Sequence, residues 1–183
     1  MFSFATVFNG DISRWQTSKV TNLDSIFRGA EAFNSDLSSW KTSSVTSMFG
    51  TFWGAHNFNG DISNWDTSSV TDMNHMFTHS KKFNSDISSW NVKSVTTMDS
   101  MFEHAESFNI DISSKLEFWD LSSVLSVKRM LYGARSFNRN LCSWGDKFHY
   151  ENAGNIFSSS GCAFQDDPLL DQQGPFCASS CKV

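Results

Sequence analysis

The sequence predicts an α/β solenoid, a right-handed coil of about six to seven turns with a parallel sheet on one side and short helices on the other. Three observations carry that prediction. One 25-residue sentence recurs from Phe8, Phe33, Phe58, Phe83 and Phe108, with an altered sixth copy from Phe137; the copy at Phe58 reads FNGDISNWDTSSVTDMNHMFTHSKK. The same columns are apolar in nearly every copy. The spacing of those columns changes between the two halves of the repeat. Self-similarity at this period marks one supersecondary unit per turn, unable to bury its apolar face without neighbours.

Each element follows from its columns. The first half carries Phe58, then Ile62 four residues on, then Trp65, with equivalents through Trp15, Trp40, Trp90, Trp119 and Trp144. This Ile-x-x-Trp stretch is too short, and too β-branched and aromatic, for a helix, so it reads as a strand of roughly three to five residues. The second half carries Val70, Met73, Met76 with Phe77, and a small residue, Ser80 here and Ala30, Ala55, Ala105 and Ala134 in other copies. Steps of three, three, one and three suit the inner stripe of one short helix. A strand, a helix and the next parallel strand cross over right-handed.

The repeated polar columns read as structural. Asn9, Asn34, Asn59, Asn84, Asn109 and Asn138 each follow the core Phe, where an amide side chain satisfies backbone groups left open at a turn and stacks as a ladder. Asp11, Asp36, Asp61, Asp86 and Asp111 form a second file. Carboxylates stacked at about 4.7–4.9 Å repel unless each accepts backbone N–H bonds; the alternative, calcium between them, lacks the oxygen-rich glycine loops such sites use. Thr17, Thr42 and Thr67 with Ser18, Ser43 and Ser68 precede the helical half as N-caps.

The motif F-N-x-D-I-S-x-W-x-T-S-x-V-T-x-M-x-x-M-F-x-x-A resembles the repeat of BspA-like leucine-rich-repeat surface proteins, from about Phe2 to Phe137 and in altered form beyond. The resemblance implies a leucine-rich-repeat-like solenoid, a surface or extracellular setting, and roles in adhesion or interaction. It transfers no catalytic residue. Val92 in the Thr column, Ser80 in the Ala column, Thr51 in the column of Met76, and the insertion Ser114 to Phe118 depart from the pattern.

Composition agrees with an interaction module. The 183 residues include 18 Phe and 7 Trp, enough for a long continuous core. With 18% charged residues and a net charge of −5, a nucleic-acid partner is not expected. No apolar run is long enough to span a membrane, and the first residues lack the basic start and apolar run of a signal peptide. No cofactor, metal or enzymatic activity is expected: there is no phosphate-binding glycine loop and no H-E-x-x-H. His79 and His104 share a column and could clamp a metal, but solvated side chains are the reading adopted.

Residues 1–141 are read as repeats, beginning in mid-repeat, and 142–183 as a degenerate last repeat with a C-terminal cap. Met1, Phe2 and Ala5 fall in the columns of Met76, Phe77 and Ser80, so the chain reads as a piece of a longer protein. Cys142, Cys162, Cys177 and Cys181 all lie in the cap, as disulfides covering the exposed end of the core. Of the three connectivities, Cys142 with Cys162 and Cys177 with Cys181 is favoured; zinc with His149 is the rival.

Subtracting the repeat exposes candidate interface residues. Phe49 stands where other copies have Asp24, Asn74, Asp99 and Lys128, and Trp53 where they have Arg28, Thr78, Glu103 and Tyr132. Four apart on a short helix, the two rings would form one apolar patch. Tyr132 joins them as a candidate, and Lys115, Glu117 and Phe118 of the insertion form a second. The function expected is a non-catalytic extracellular or cell-surface repeat scaffold, disulfide-bonded, that binds a protein partner or itself. The alternative is recognition of an ordered surface such as ice or carbohydrate through Thr/Ser columns that include Thr21, Thr46, Thr71 and Thr96.

Overall fold

The three-residue steps of the apolar columns turn out to be the steps of reverse turns. In the computed structural model, which describes residues 1–115, 117–172, 174–178 and 181, the Trp65 N–H donates to the Ile62 carbonyl at 3.1 Å, Val70 to Thr67 at 3.0 Å, Met76 to Met73 at 3.3 Å, Ser80 to Phe77 at 3.0 Å and Phe83 to Ser80 at 3.0 Å. Each bond closes a β-turn between residues i and i+3. Both ends of each turn are buried, which is why apolar residues recur three apart.

The α/β right-handed leucine-rich-repeat-like solenoid is therefore overturned. Among the described residues the only helices are short 3₁₀ segments, at Leu121–Ser123, Cys142–Lys147, Tyr150–Asn152 and Leu170–Gln172. No strand is present among them either; pairing between neighbouring repeats is limited to isolated parallel bridges, Asn22 with Ser47, then Asp72, Thr97 and Ser126. The Ile-x-x-Trp segment folds back as a turn where a strand would extend. In the second half, φ is positive at His75 (56°) and His79 (58°), the third residues of the turns closed by Met76 and Ser80. That is the type II pattern. The same two columns hold Gly50, Gly54, Gly29 and Gly133, all at positive φ.

Alternate amides explain why tandem turns replace both helix and sheet. The N–H groups of Met48, Gly50, Phe52 and Gly54 leave their own repeat and donate to the carbonyls of Asp72, Asn74, Met76 and Thr78 at 2.7–3.0 Å. The amides of Thr51, Trp53 and Ala55 stay at home and close turns on Met48, Gly50 and Phe52. A helix would use every amide internally and a strand would use none. Here the backbone divides them, and successive repeats stack in register.

The core is a set of aromatic ladders along that stack. Trp40, Trp65 and Trp90 are 6.3 Å apart in succession and within 7° of parallel. Each indole N–H is satisfied by the Ile/Leu carbonyl of the repeat before, as in Trp65 to Leu37 O at 3.2 Å. Phe52 stacks at 3.8 Å on Phe58, which opens the next copy, and at 5.5 Å on Phe77, its equivalent one repeat on. Trp15, first of its column and stacked on one side only, remains 39% exposed.

The polar columns tie the repeats together. The Asn34, Asn59, Asn84 and Asn109 amides accept the N–H of the next Asn in the file at 2.7–3.2 Å, the ladder the sequence predicts. The Thr column does not cap helices: Thr42 and Thr67 are buried and donate to Asp66 O and Asn91 O of the following repeat at 3.0 and 2.9 Å. At the C-terminal end all four cysteines are paired, as Cys142 with Cys181 and Cys162 with Cys177, which corrects the favoured connectivity. The reason is spatial. The returning segment pairs Cys177 with Asn140 in an antiparallel bridge, carrying the chain's end back beside Cys142.

Candidate functional site: a ladder of rings on the tandem-turn face

Phe49 and Trp53 are brought together, though by a route other than helix spacing. Gly50 and Gly54, at φ 56° and 71°, set the type II turns that hold both rings half-exposed on the same face. His75 of the next repeat joins them. Its imidazole stacks on Trp53 at 4.6 Å and 13°, and meets Phe49 edge-on at 5.6 Å. On the other face of the indole, the Arg28 guanidinium lies 4.0 Å from the ring centroid, with Phe4 beyond it at 5.5 Å. Cations over indole faces are electrostatically favourable.

Tyr132 anchors a second cluster on the same two columns. Arg129 lies 4.0 Å from its ring centroid and donates to Glu103, while His104 meets it edge-on at 5.3 Å. His104 in turn stacks on His79 at 4.8 Å and 9°. The ladder thus runs from Phe4 through Arg28, Trp53 and His75, and from His79 through His104 to Tyr132 and Arg129.

Environment tunes the titratable rungs. Burial lowers the pKa of His75, against the carboxylates of Glu103, Asp99 and Asp72. His79 is lowered first by burial and then by the neighbouring His104. Burial pushes Glu103 up, but hydrogen bonds from Arg129 and Ser100 outweigh it and hold the carboxyl below its usual range. Near-parallel imidazoles are poorly disposed to converge on one ion, and among the described residues no group of three His, Cys, Asp or Glu side chains could hold a metal.

The insertion residues are not part of this ladder. Lys115 reaches Ser88 at 3.2 Å, the Phe118 carbonyl accepts from Val92 N–H at 2.9 Å, and Glu117 is exposed. Phe118 packs against the core, and Leu116 lies outside the described residues. Sequence reasoning missed Arg28, His75, Glu103 and Arg129. The column was the signal for Arg28 and Glu103, which share the position of Trp53 and Tyr132, whereas His75 and Arg129 stand in the column of Gly50, where the sequence offered no such signal.

A stack of turn-built repeats with an outward ring ladder defines a repeat protein. The chain belongs to the family described as Mycoplasma protein of unknown function, DUF285, whose model matches residues 1–70 and 57–169. No curated protein and no solved structure matches it.

Proposed function

We propose that the chain is a non-catalytic repeat scaffold, at the cell surface or outside the cell, that docks a protein partner through the ring ladder centred on Trp53. The carrying observation is that Phe49, Trp53 and Tyr132 are half-exposed aromatics where other copies hold polar residues, and that Arg28 and Arg129 lie over two of the rings. Aromatic and Arg side chains at such positions are typical interface anchors. The setting is supported by the paired cysteines, which persist in oxidising compartments, and by the resemblance of the repeat to BspA-like surface proteins. No helix among the described residues is long and apolar enough to cross a membrane.

Replacing Phe49→Ser together with Trp53→Ser tests the reading. Immobilised wild-type chain should retain a partner from its native surroundings that the double variant loses, with thermal stability nearly unchanged. Equal retention by both proteins would refute the ladder as the docking surface, and a large fall in stability would place the rings in the core.

A second reading rests on a different face. Thr21, Thr46, Thr71 and Thr96 are exposed in a file, and the hydroxyls of the last three donate to the preceding Thr carbonyl at 3.0–3.2 Å. Ser44, Ser69 and Ser94 are pinned in the same way at 2.7–3.2 Å. Such ordered hydroxyl files suit a regular surface, ice or carbohydrate. Thermal hysteresis at millimolar protein, abolished by Thr46→Lys with Thr71→Lys, would favour it; its absence would reject ice.

A further inference from the structure

Histidine is concentrated on the ladder, and the charges around it are close to balance. His75 faces Arg28, Asp72, Asp99 and Glu103. His79 faces His104, Glu103, His56 and Lys81, and His104 faces Glu103, His79 and Tyr132. Glu103 is held by Arg129, and His56 lies 3.8 Å from Glu31. Near neutral pH the cations Arg28, Lys81 and Arg129 face four carboxylates, Glu31, Asp72, Asp99 and Glu103. The imidazoles therefore decide the sign of the strip; burial holds His75 and His79 below the ordinary imidazole value, so the strip turns cationic only as the pH falls below that value.

The same molecule carries a complementary file. Asp11, Asp36, Asp61, Asp86 and Asp111 are exposed, one per repeat, and each accepts the N–H of the Ser two residues on at 2.8–3.0 Å. These bonds keep the carboxylates ionised in the range where imidazole takes up its proton, with Lys115 beside Asp86 and Arg14 beside Asp11 as the cations that face the file. The period is also shared. The step from His79 to His104 and the step from Asp61 to Asp86 are both one repeat of 25 residues, and both files ride on the same stack. Two surfaces of opposite charge and equal pitch, on one chain, fit each other across two copies.

We propose that under mildly acidic conditions the chain associates with a second copy of itself, the imidazole and guanidinium groups of one ladder lying along the Asp61 and Asp86 file of the other. This rests on the reading of the ladder as a docking surface and names an occupant for it. The association is electrostatic, so salt weakens it. It is reversible within the titration range of histidine.

Sedimentation equilibrium of the full chain at about pH 5.5 and about pH 7.5, in low and high salt, tests the proposal. Two variants accompany it. His79→Asn with His104→Asn removes the charge while keeping a residue that tolerates the positive φ of 58° and 54° at these sites. Asp61→Asn with Asp86→Asn keeps an oxygen to accept the Ser63 and Ser88 amides, and far-UV circular dichroism checks that each variant is folded. The expected result is a self-association constant about tenfold or more tighter at the lower pH, lost in high salt and in either variant. A single mass at both pH values, or acid-driven association that survives both substitutions, overturns the inference. If the chain stays monomeric while Phe49→Ser with Trp53→Ser still abolishes partner capture, only the self-association falls. If that variant captures normally, the docking reading falls with it.

Discussion

Replacing Trp65 with Ala removes one rung from the indole ladder, and the structure sets the expected loss. Trp65 is 3% exposed and stacked on both faces, by Trp40 and Trp90 at 6.3 Å each. A buried Trp removes about 200 Å² from water, worth about 5 kcal/mol at 25 cal/mol per Å². Large-to-small aromatic substitutions measured in cores cost about 3–5 kcal/mol. The lost indole bond adds little, because the Leu37 carbonyl it served also accepts the Trp40 amide at 3.1 Å. A loss of about 4–5 kcal/mol is therefore expected for Trp65→Ala, against about 1–2 kcal/mol for Trp65→Phe, which keeps most of the area. Guanidinium unfolding followed by far-UV circular dichroism measures both as midpoint shifts. A loss below about 1 kcal/mol for the alanine variant, or free quenching of Trp65 fluorescence by iodide, would refute the ladder as the source of stability.

The remaining predictions concern turns, carboxylates and the cap. Gly54→Ala and Gly133→Ala both force an alanine to positive φ, at about 1–2 kcal/mol; Gly133→Ala should cost more, because its Cβ would collide with the His104 ring while Gly54 has no contact closer than 3.6 Å. Equal thermal midpoints for the two would deny that clash. Asp61 and Asp86 have folded pKa values held below the ordinary range, chiefly by the Ser63 and Ser88 amides. Their contribution is complete above about pH 4, the unfolded value, and is lost as pH falls through the lower folded values. The melting temperature should fall between about pH 4 and pH 2, less steeply in Asp61→Asn; Asp72, raised by burial, acts in the opposite sense. Non-reducing peptide mapping should recover Cys142 linked to Cys181 and Cys162 linked to Cys177, and Cys162→Ser with Cys177→Ser should cost about 3 kcal/mol for a loop of this size. A free thiol in the native protein would contradict the cap.

The repeat boundaries, the inward columns, the Asn ladder and the disulfide-bonded end were legible because each depends on residue type at a fixed interval. Secondary structure was not, and the reason is specific. Met73, Met76 and Phe77 satisfy the steps of a helix and the ends of two successive β-turns equally well, since both place i and i+3 on one side. What separates the two is backbone handedness at the residues between. Gly50, Gly29, Gly54 and Gly133 carried that signal, but His75, His79, Ser100 and His104 occupy the same left-handed positions and obscured it. The ring ladder was half visible. Phe49, Trp53 and Tyr132 stood out by chemistry, whereas His75 and Arg28 became part of the site only once the stack placed successive repeats against one another.

The division of amides between turn and neighbour has a mechanical consequence. The bonds from Met48, Gly50, Phe52 and Gly54 run from one repeat to the next, so tension applied to the two ends of the stack loads each interface in turn. The interfaces give way one after another, as in a zipper. Each repeat of 25 residues that peels away would pay out roughly 80–90 Å of chain. The linkage of Cys142 to Cys181 arrests this at the C-terminal end, where the covalent loop transmits force without lengthening. A stack built this way yields in steps and stays anchored at its cross-linked repeat.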